Sequence, residues 1–359
     1  MQFLLPEPTH AQMSSIEPIL KLCNGTERGT ACTQGQGRDL GRTFARGTLT
    51  AWPLNFFSFS ISGLSMIRNI IKKIYNSFLD MLPDYAAVNF MYFCHFRQLP
   101  NLKHPKTLNE KIAWRKLYQC NPQFTSFADK IVVKDEIAKI IGEQHIIETL
   151  WTGCDPEEIP FDALTLPYVI KVNHSNGGNI FIRTAKDIER NKIIASLRKQ
   201  LRFSYHRKFR EWAYASIPRS GIVEKMIEMP SGDAPEDYKF FVYHGRSHFI
   251  QVDFDRFKAH KRNLYDRDWN LLAARLIYPA TAKAISKPVN LDKMIEIAEE
   301  IGSKFDFVRV DLYAPAGDIL FGEVTFYPGA GLEKFVPQEW DYKFGEPWEI
   351  DTSSIFRSE

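Results

Sequence analysis

Apolar positions change their period along the chain. From Met66, "MIRNIIKKIYNSFLDML" sets Ile67, Ile70, Ile71, Ile74 and Phe78 on one helical face, with Arg68, Lys72 and Lys73 off it. The pattern predicts a helix docked on the body. It also suits a basic amphipathic helix, and it limits membrane contact to a peripheral one through residues 66–80. "KTLNEKIAWRKLYQ" predicts a helix with Asn109 as N-cap and Ile112, Trp114 and Leu117 as anchors. "DKIVVKDEIAKIIG" predicts another, closed by Gly142. The texture then turns to β-branched runs: "PYVIKVNH" (167–174), "NIFIRT" from Asn179, and "SGIVEKMIEM" (220–229). Between the last two, "KDIERNKIIASLRKQL" is helical in pattern. A hairpin is expected over 237–255, turning at His244 and Gly245. "NLDKMIEIAEEIGSKF" (290–305) predicts a capped helix burying Leu291, Met294, Ile295, Ala298 and Ile301. Two strands joined by "APAGD" follow. Helices mixed with hairpins, without a repeat, predict an α+β chain with antiparallel sheets.

Composition narrows the class. The 359 residues carry a net charge of +3, which gives no argument for nucleic acid as a partner. Cys23, Cys32, Cys94, Cys120 and Cys154 lack metal-ligand spacing and suit a reducing cytoplasm. Residues 1–65 include "GTERGTACTQGQGRDLGR", which is poorly suited to building a core. They are expected to be a disordered tail, or the product of a misplaced start with Met66 as the true one.

The chemistry gathers in four places. Alternation along a strand points Arg309 and Asp311 the same way, and likewise Glu323 and Thr325 on the next strand. Facing carboxylates repel unless cations lie between them. Such oxygens suit Mg²⁺, and an arginine beside them suits an anion. A solvated face with ordinary ion pairs has the same pattern. Lys171 ends an apolar strand, where an ammonium needs an anionic partner. Ser175, Asn176, Gly177 and Gly178 follow it and could wrap a phosphate with backbone N–H groups, or simply form a turn. Glu224 interrupts an otherwise apolar strand and needs a donor. Asp237 and Lys239 share a strand face. Arg202, Arg207, Lys208, Arg210 and Arg219, interleaved with aromatics, suit either an anionic polymer or a solvated helix. His174 beside the loop reads as a hydrogen-bonding residue rather than a catalyst.

These stretches, in this order, resemble the teichuronopeptide-biosynthesis (TupA-like) branch of the ATP-grasp superfamily. The resemblance runs from about Lys106 to Ile350 and rests on "TLNEKIAWRKLY", "DKIVVKDEI", "YVIKVNHSNGG", "EWAYASIPRSGIVEKMI", "DYKFFVYHG", "FVRVDLY" and "FGEVTFYPGAG". It implies an α+β ATP-grasp fold, two α+β units gripping ATP between antiparallel sheets, with an N-terminal helical segment. It divides the chain into the tail 1–65, a helical pre-grasp region 66–165, a lid 166–220 and a metal-bearing unit 221–350. By resemblance, Lys130 and Lys171 contact phosphate and Ser175, Asn176, Gly177 and Gly178 cover it. Glu224, Lys225, Met226 and Ile227 read adenine, and Glu228 takes the ribose. Asp237 and Lys239 are further nucleotide-side positions, and Asp311 and Glu323 hold Mg²⁺. Arg309 stabilises the phosphorylated intermediate. Thr325 stands where many relatives carry an asparagine, which puts a second Mg²⁺ in doubt.

The implied activity is a cytoplasmic, ATP- and Mg²⁺-dependent carboxylate–amine ligase working through an acyl phosphate. The implied acceptor is an acidic small molecule, or a polysaccharide or glycopeptide of the cell envelope. A glycosyltransferase of such a pathway is the first alternative, with "DFD" (253–255) or "DRD" (266–268) as its metal pair. A non-catalytic nucleotide-binding relative is the second.

Overall fold

The computed structural model describes residues 61–229, 235–256, 259–281 and 285–352. The expected tail, as far as residue 60, lies outside them. Helix α1 (Ile61–Met81) is already formed at Ile61, inside the stretch read as tail. Of the expected apolar face, Ile70, Ile71 and Ile74 are exposed, while Leu79 near the helix end is buried. The periodicity is helical as expected, but Tyr75 and Leu79 meet the body rather than the isoleucine stripe.

Helices α2 (Asp84–Phe96) and α3 (Leu108–Tyr118) form an apolar cluster with the end of α1, through Leu79, Val88, Met91, Tyr92, Trp114 and Leu117. The N-cap of α3 is Thr107, not Asn109: its hydroxyl accepts from Glu110 N–H while the Glu110 carboxylate accepts from Thr107 N–H. Asn109 instead donates its backbone and side-chain N–H groups to Asp341. Helices α4 (Pro122–Ala128) and α5 (Val132–Ile141) follow, and Gly142 closes α5 at φ +95°, where a Cβ would be strained.

Strands β1 (Thr149–Gly153), β2 (Tyr168–Val172), β3 (Ile180–Ile182) and β4 (Gly221–Lys225) make an antiparallel sheet in the order β1-β4-β2-β3. Helix α6 (Arg190–Arg202) covers one face, packing Ile193 and Leu197 against Tyr168, Ile170, Val172 and Val223. It starts four residues later than its pattern suggests, because Thr184 and Asp187 cap a short 3-10 turn first. The opposite face carries Val169, Lys171, Ile222 and Glu224, which the register places on one side.

After α7 (Tyr205–Phe209) and β4, a second antiparallel sheet is built from β5 (Asp237–Tyr243), β6 (Arg246–Phe254), β7 (Lys261–Asp266), β9 (Phe307–Tyr313) and β10 (Leu320–Thr325). Its order is β10-β9-β5-β6-β7. The expected hairpin is β5–β6, with His244 and Gly245 at positive φ in its turn. Helix α8 (Leu291–Gly302) follows a short strand, β8 (Arg275–Leu276), and buries all five expected residues. It lies on the sheet so closely that a Cβ on Gly302 would come within 2.3 Å of Val242.

The face of this sheet away from α8 is divided along the strands. One end carries Phe241 and Phe249, covered by Phe344 of α9 (Glu339–Gly345), and Phe307, packed against Trp348; α9 comes after a two-residue strand, β11 (Phe335–Val336). The other end carries Asp237, Lys239, Arg309, Asp311, Glu323 and Thr325. Arg115 of α3 fastens the aromatic end. Fully buried, it donates to the Phe307 and Phe326 carbonyls and pairs with Asp306 at 2.6 Å, while Trp348 lies 4.0 Å under its guanidinium. Arg115→Met removes the cation paired with Asp306, which keeps only neutral donors, and leaves the Phe307 and Phe326 carbonyls without the guanidinium. Loss of one partner of such a pair should remove roughly 3 kcal/mol of stability. Urea unfolding of the variant beside the parent measures it, and an unchanged midpoint would show that the clamp does not hold the helical region to the sheet.

Candidate active site

The two sheets face each other across a cleft lined by Lys130, Lys134, Lys171, Glu224, Phe321 and Glu323, among others. Lys134 comes from α5, Lys171 from β2, Glu224 from β4, and Phe321 and Glu323 from β10, while Lys130 precedes α5. Asp129 closes α4 as its C-cap. Its carboxylate accepts from Ile131 N–H and from the Asn173 amide, which ties the Lys130 corner to the end of β2. Lys130 Nζ then stands 3.5 Å from Glu323 and 3.4 Å from Asn176 Oδ1. One lysine thereby joins the expected phosphate loop to the expected metal carboxylate.

On the other wall, Glu224 is buried between two ammonium groups, Lys171 at 2.5 Å and Lys134 at 2.7 Å. Burial acts to raise its proton affinity, but the two lysines overrule it and hold the carboxyl below its ordinary value. The anionic partner demanded by Lys171 is therefore Glu224. Lys134 was not singled out in the sequence, although it lies four residues after Lys130 in "DKIVVKDEI". A cation in the first turn of α5 opposes the helix dipole, and that misplacement was the available signal.

The sheet face below carries the remaining charges. Asp311 and Glu323 are direct partners across β9 and β10, as are Arg309 and Thr325. Arg309 grips Asp311 with Nε at 2.7 Å and Nη2 at 2.8 Å, and reaches Thr325 Oγ1 at 3.3 Å and Glu323 at 3.5 Å. Lys239 bridges Asp311 at 2.5 Å and Asp237 at 2.6 Å. Arg309 and Lys239 lie between these carboxylates and offset part of their repulsion, but burial, with Asp237 and Glu323 nearby, still holds the Asp311 carboxyl above its ordinary value. Burial favours the neutral form of Glu323, yet Lys130, Lys239 and Arg309 bring its carboxyl down to about 2.

Not every expected residue joins this cluster. Lys225 points to the other side of β4, exposed and 3.9 Å from Glu148. Met226 is buried and its N–H already donates to the Pro167 carbonyl at 3.1 Å. Ile227 is half-buried and Glu228 exposed at the strand's end. Ser175 is buried, while Gly177 and Gly178 turn at φ +79° and +73°. The Gly178 carbonyl is held by Gln200 of α6. His174 is buried between Asn173 and the Phe203 carbonyl, a structural joint as read from the sequence. Two cations of the basic run are occupied locally: Arg210 binds the Leu79 and Leu82 carbonyls, and Arg219 those of Leu201 and Arg202. Among the described residues no three His, Cys, Asp or Glu side chains gather as a metal cage, and no helix is long and apolar enough to cross a membrane.

The family model described as TupA-like ATPgrasp matches residues 110–349. No curated protein matches the chain. Among solved structures, the chain is similar to D-alanine–D-alanine ligase from Bacillus anthracis in complex with ATP. Identity is 17% at a TM-score of 0.34, covering 56% of this chain and 55% of that one. It is similar to the ATP-grasp ligase PsnB in complex with minimal precursor, at 13% identity and a TM-score of 0.33, covering 61% and 60%. It is also similar to N5-carboxyaminoimidazole synthase from Aspergillus clavatus with ADP and 5-aminoimidazole ribonucleotide, at 13% identity and a TM-score of 0.34, covering 56% and 45%. The chain thus spans about half the length of these proteins, between 45% and 60%.

The electrostatics of Glu323 make a testable statement about stability. Its proton affinity is lower folded than unfolded, so the stabilisation is complete above about pH 4.5 and is lost as pH falls towards about 2. Glu323→Gln should therefore destabilise the ligand-free protein at pH 7, by at most about 3 kcal/mol. The gap from the parent should narrow as pH falls from 4.5. Urea midpoints of both proteins at neutral and acid pH decide it, and a more stable variant at pH 7 would mean that carboxylate repulsion dominates the hairpin.

Proposed function

Because the chain belongs to the TupA-like ATP-grasp family, we propose that it is an ATP- and Mg²⁺-dependent carboxylate–amine ligase, acting through an acyl phosphate in cell-surface polysaccharide or glycopeptide biosynthesis in the cytoplasm. The observation that carries this reading is the in-register pair Asp311 and Glu323, with Arg309 and Lys239 between them, facing a cleft lined by Lys130, Lys171 and Glu224.

The donor set fits Mg²⁺. Two hard carboxylates stand opposite each other, Glu323 still 26% exposed, with the Thr325 hydroxyl next to them. Such a cation needs only one or two protein carboxylates when phosphate oxygens and water complete its shell. Asp311 and Glu323 would hold it, with Thr325 as a neighbouring oxygen. When bound, Mg²⁺ neutralises phosphate oxygens and so assists phosphoryl transfer.

This chain's own residues then divide the work. Lys130 and Lys171 attract the phosphates from the two walls of the cleft, each exchanging a carboxylate partner for a phosphate oxygen. The loop Ser175, Asn176, Gly177 and Gly178 lies beside Lys130 and covers them. Glu224, released by Lys171, remains an acceptor for the exocyclic amine of adenine, with Lys225, Met226, Ile227 and Glu228 along the same edge of the nucleotide. A substrate carboxylate attacks the γ-phosphorus: an O–P bond forms, the bond to the β-phosphate oxygen breaks, and ADP leaves. Arg309 is placed to neutralise the charge that develops there, since its planar fork already grips a carboxylate in two places. The amine then attacks the acyl carbon, forming C–N as phosphate leaves and the amine gives up a proton.

A glycosyltransferase reading has less support. Neither "DFD" (253–255) nor "DRD" (266–268) lines the cleft between the sheets. The test is phosphate release from Mg²⁺·ATP with a panel of acidic acceptors and amines, beside thermal protection by ATP and by UDP-sugars. Protection by UDP-sugars alone would overturn the ligase reading. Lys171→Met should weaken ATP binding about 10- to 100-fold, as removal of one charge-assisted contact of about 1.5–3 kcal/mol implies. Calorimetric titration with ATP measures it, and unchanged affinity would remove Lys171 from the phosphate site. Arg309→Lys should bind ATP nearly as the parent does and slow turnover at least 10-fold, because a point charge loses the two-pronged grip. Steady-state phosphate release reads that split.

A further inference from the structure

Beyond Lys239, away from the expected metal pair, the polar face continues across β5 onto β6 and β7. Asp237 is paired in register with Asp253, and Lys239 with Gln251, so Asp237 and Gln251 are diagonal neighbours on one face. Both are almost wholly buried, each 1% exposed. Asp237 receives Lys239 and Arg256 on the same oxygen, Oδ2. Gln251 donates its Nε2 to Asp253 Oδ2 at 3.2 Å. That bond fixes which way the amide points, because the flipped amide would set oxygen against oxygen. Asp253 is itself immobilised by Arg262, through Nε at 2.6 Å and Nη2 at 3.1 Å.

Two acceptors are left over. Among the described residues, Asp237 Oδ1 and Gln251 Oε1 have no hydrogen-bond partner. A buried acceptor without a donor costs about 1–3 kcal/mol, so two on neighbouring positions of one face ask for a shared ligand. Its chemistry follows from theirs. Both are lone-pair groups, and one is a carboxylate. A carboxylate or phosphate would set acceptor against acceptor, a hydroxyl offers one donor for two acceptors, and a water, which offers two, is the competing occupant that an absent response to primary amines would reveal. An ammonium group is donor-only, carries charge and has three N–H bonds.

We propose that Asp237 Oδ1 and Gln251 Oε1 form the amine subsite of the ligase, taking a substrate with a primary amine. This rests on the ligase reading above. Lys239 joins the subsite to Asp311, so the amine is seated along the same face as the phosphoryl-transfer residues. Arg256, whose side chain is 39% exposed, is the solvent-reaching member of the group and marks the side of entry. Asp253 and Arg262 are positioning residues, because they hold the Gln251 amide with its oxygen turned towards the ligand.

The test uses the whole chain with Mg²⁺ and a non-hydrolysable ATP analogue. Methylammonium and glycine methyl ester are the primary-amine probes, and tetramethylammonium is the control of equal charge without N–H. The primary amines should raise the melting temperature in a saturable way and the control should not. In Gln251→Met, the probe concentration giving half the effect should rise at least tenfold, a larger change than for the nucleotide analogue. Equal responses to primary and quaternary ammonium, no response to either, or a Gln251→Met response like the parent's would each overturn the subsite. The comparison of probes on the parent needs no variant, so a Gln251→Met that fails to fold leaves the test standing. Failure of the nucleotide analogue itself to bind would overturn the ligase reading instead, and the two failures are separately visible.

Discussion

Charge inside a sheet has to be matched at the spacing of strands. Asp311 sits at the centre of this protein's site, 1% exposed, with a guanidinium on one side and an ammonium on the other. Neither ion would be tolerated there alone, since breaking such a pair costs several kcal/mol. The requirement reaches outwards. Arg309 must be two residues before Asp311 on β9, Lys239 must be its register partner on β5, and Glu323 its partner on β10. A slip of one residue would put all of them against α8. The apolar packing of Val308, Val310 and Leu312 beneath therefore fixes the charge arrangement above.

The same face shows why its charged groups are held firmly. Two residues along β9 from Arg309, Phe307 belongs to an aromatic stack that includes Tyr243 at 4.8 Å. The strand is anchored at that end by dispersion and by Arg115, and it delivers charged side chains at the other. Side chains carried on strands with such support keep their geometry better than side chains on loops.

The wall formed by the four-stranded sheet is arranged differently. Lys171 and Glu224 come from β2 and β4 of that sheet, and Lys130, just before α5, stands 3.5 Å from Glu323 of the five-stranded sheet. Anionic phosphate entering between them finds lysines whose present partners are carboxylates. Exchange of one anion for another needs little change in local charge, which suits a site that must load and release a nucleotide.

Periodicity carried most of the elements, because an amphipathic helix such as α8 and a hairpin such as β5–β6 are set by local pattern. Alternation also showed that Arg309 faces with Asp311 and Glu323 with Thr325. The family resemblance, resting on seven short stretches in order, added which of these belong to one site. Local pattern could not supply partners across distant segments. Thr107 rather than Asn109 caps α3 because Asp341, more than two hundred residues on, takes the Asn109 donors. The isoleucine stripe of α1 was legible as a face, yet which face meets the body depends on where α2 and α3 lie. Lys134 entered the site only because β4 brings Glu224 to it, and Gln251 stands out only once its oxygen is seen to lack a donor. Hydrogen-bond satisfaction is a property of the whole fold: a sequence states which groups need partners, and only tertiary structure decides which of them find one.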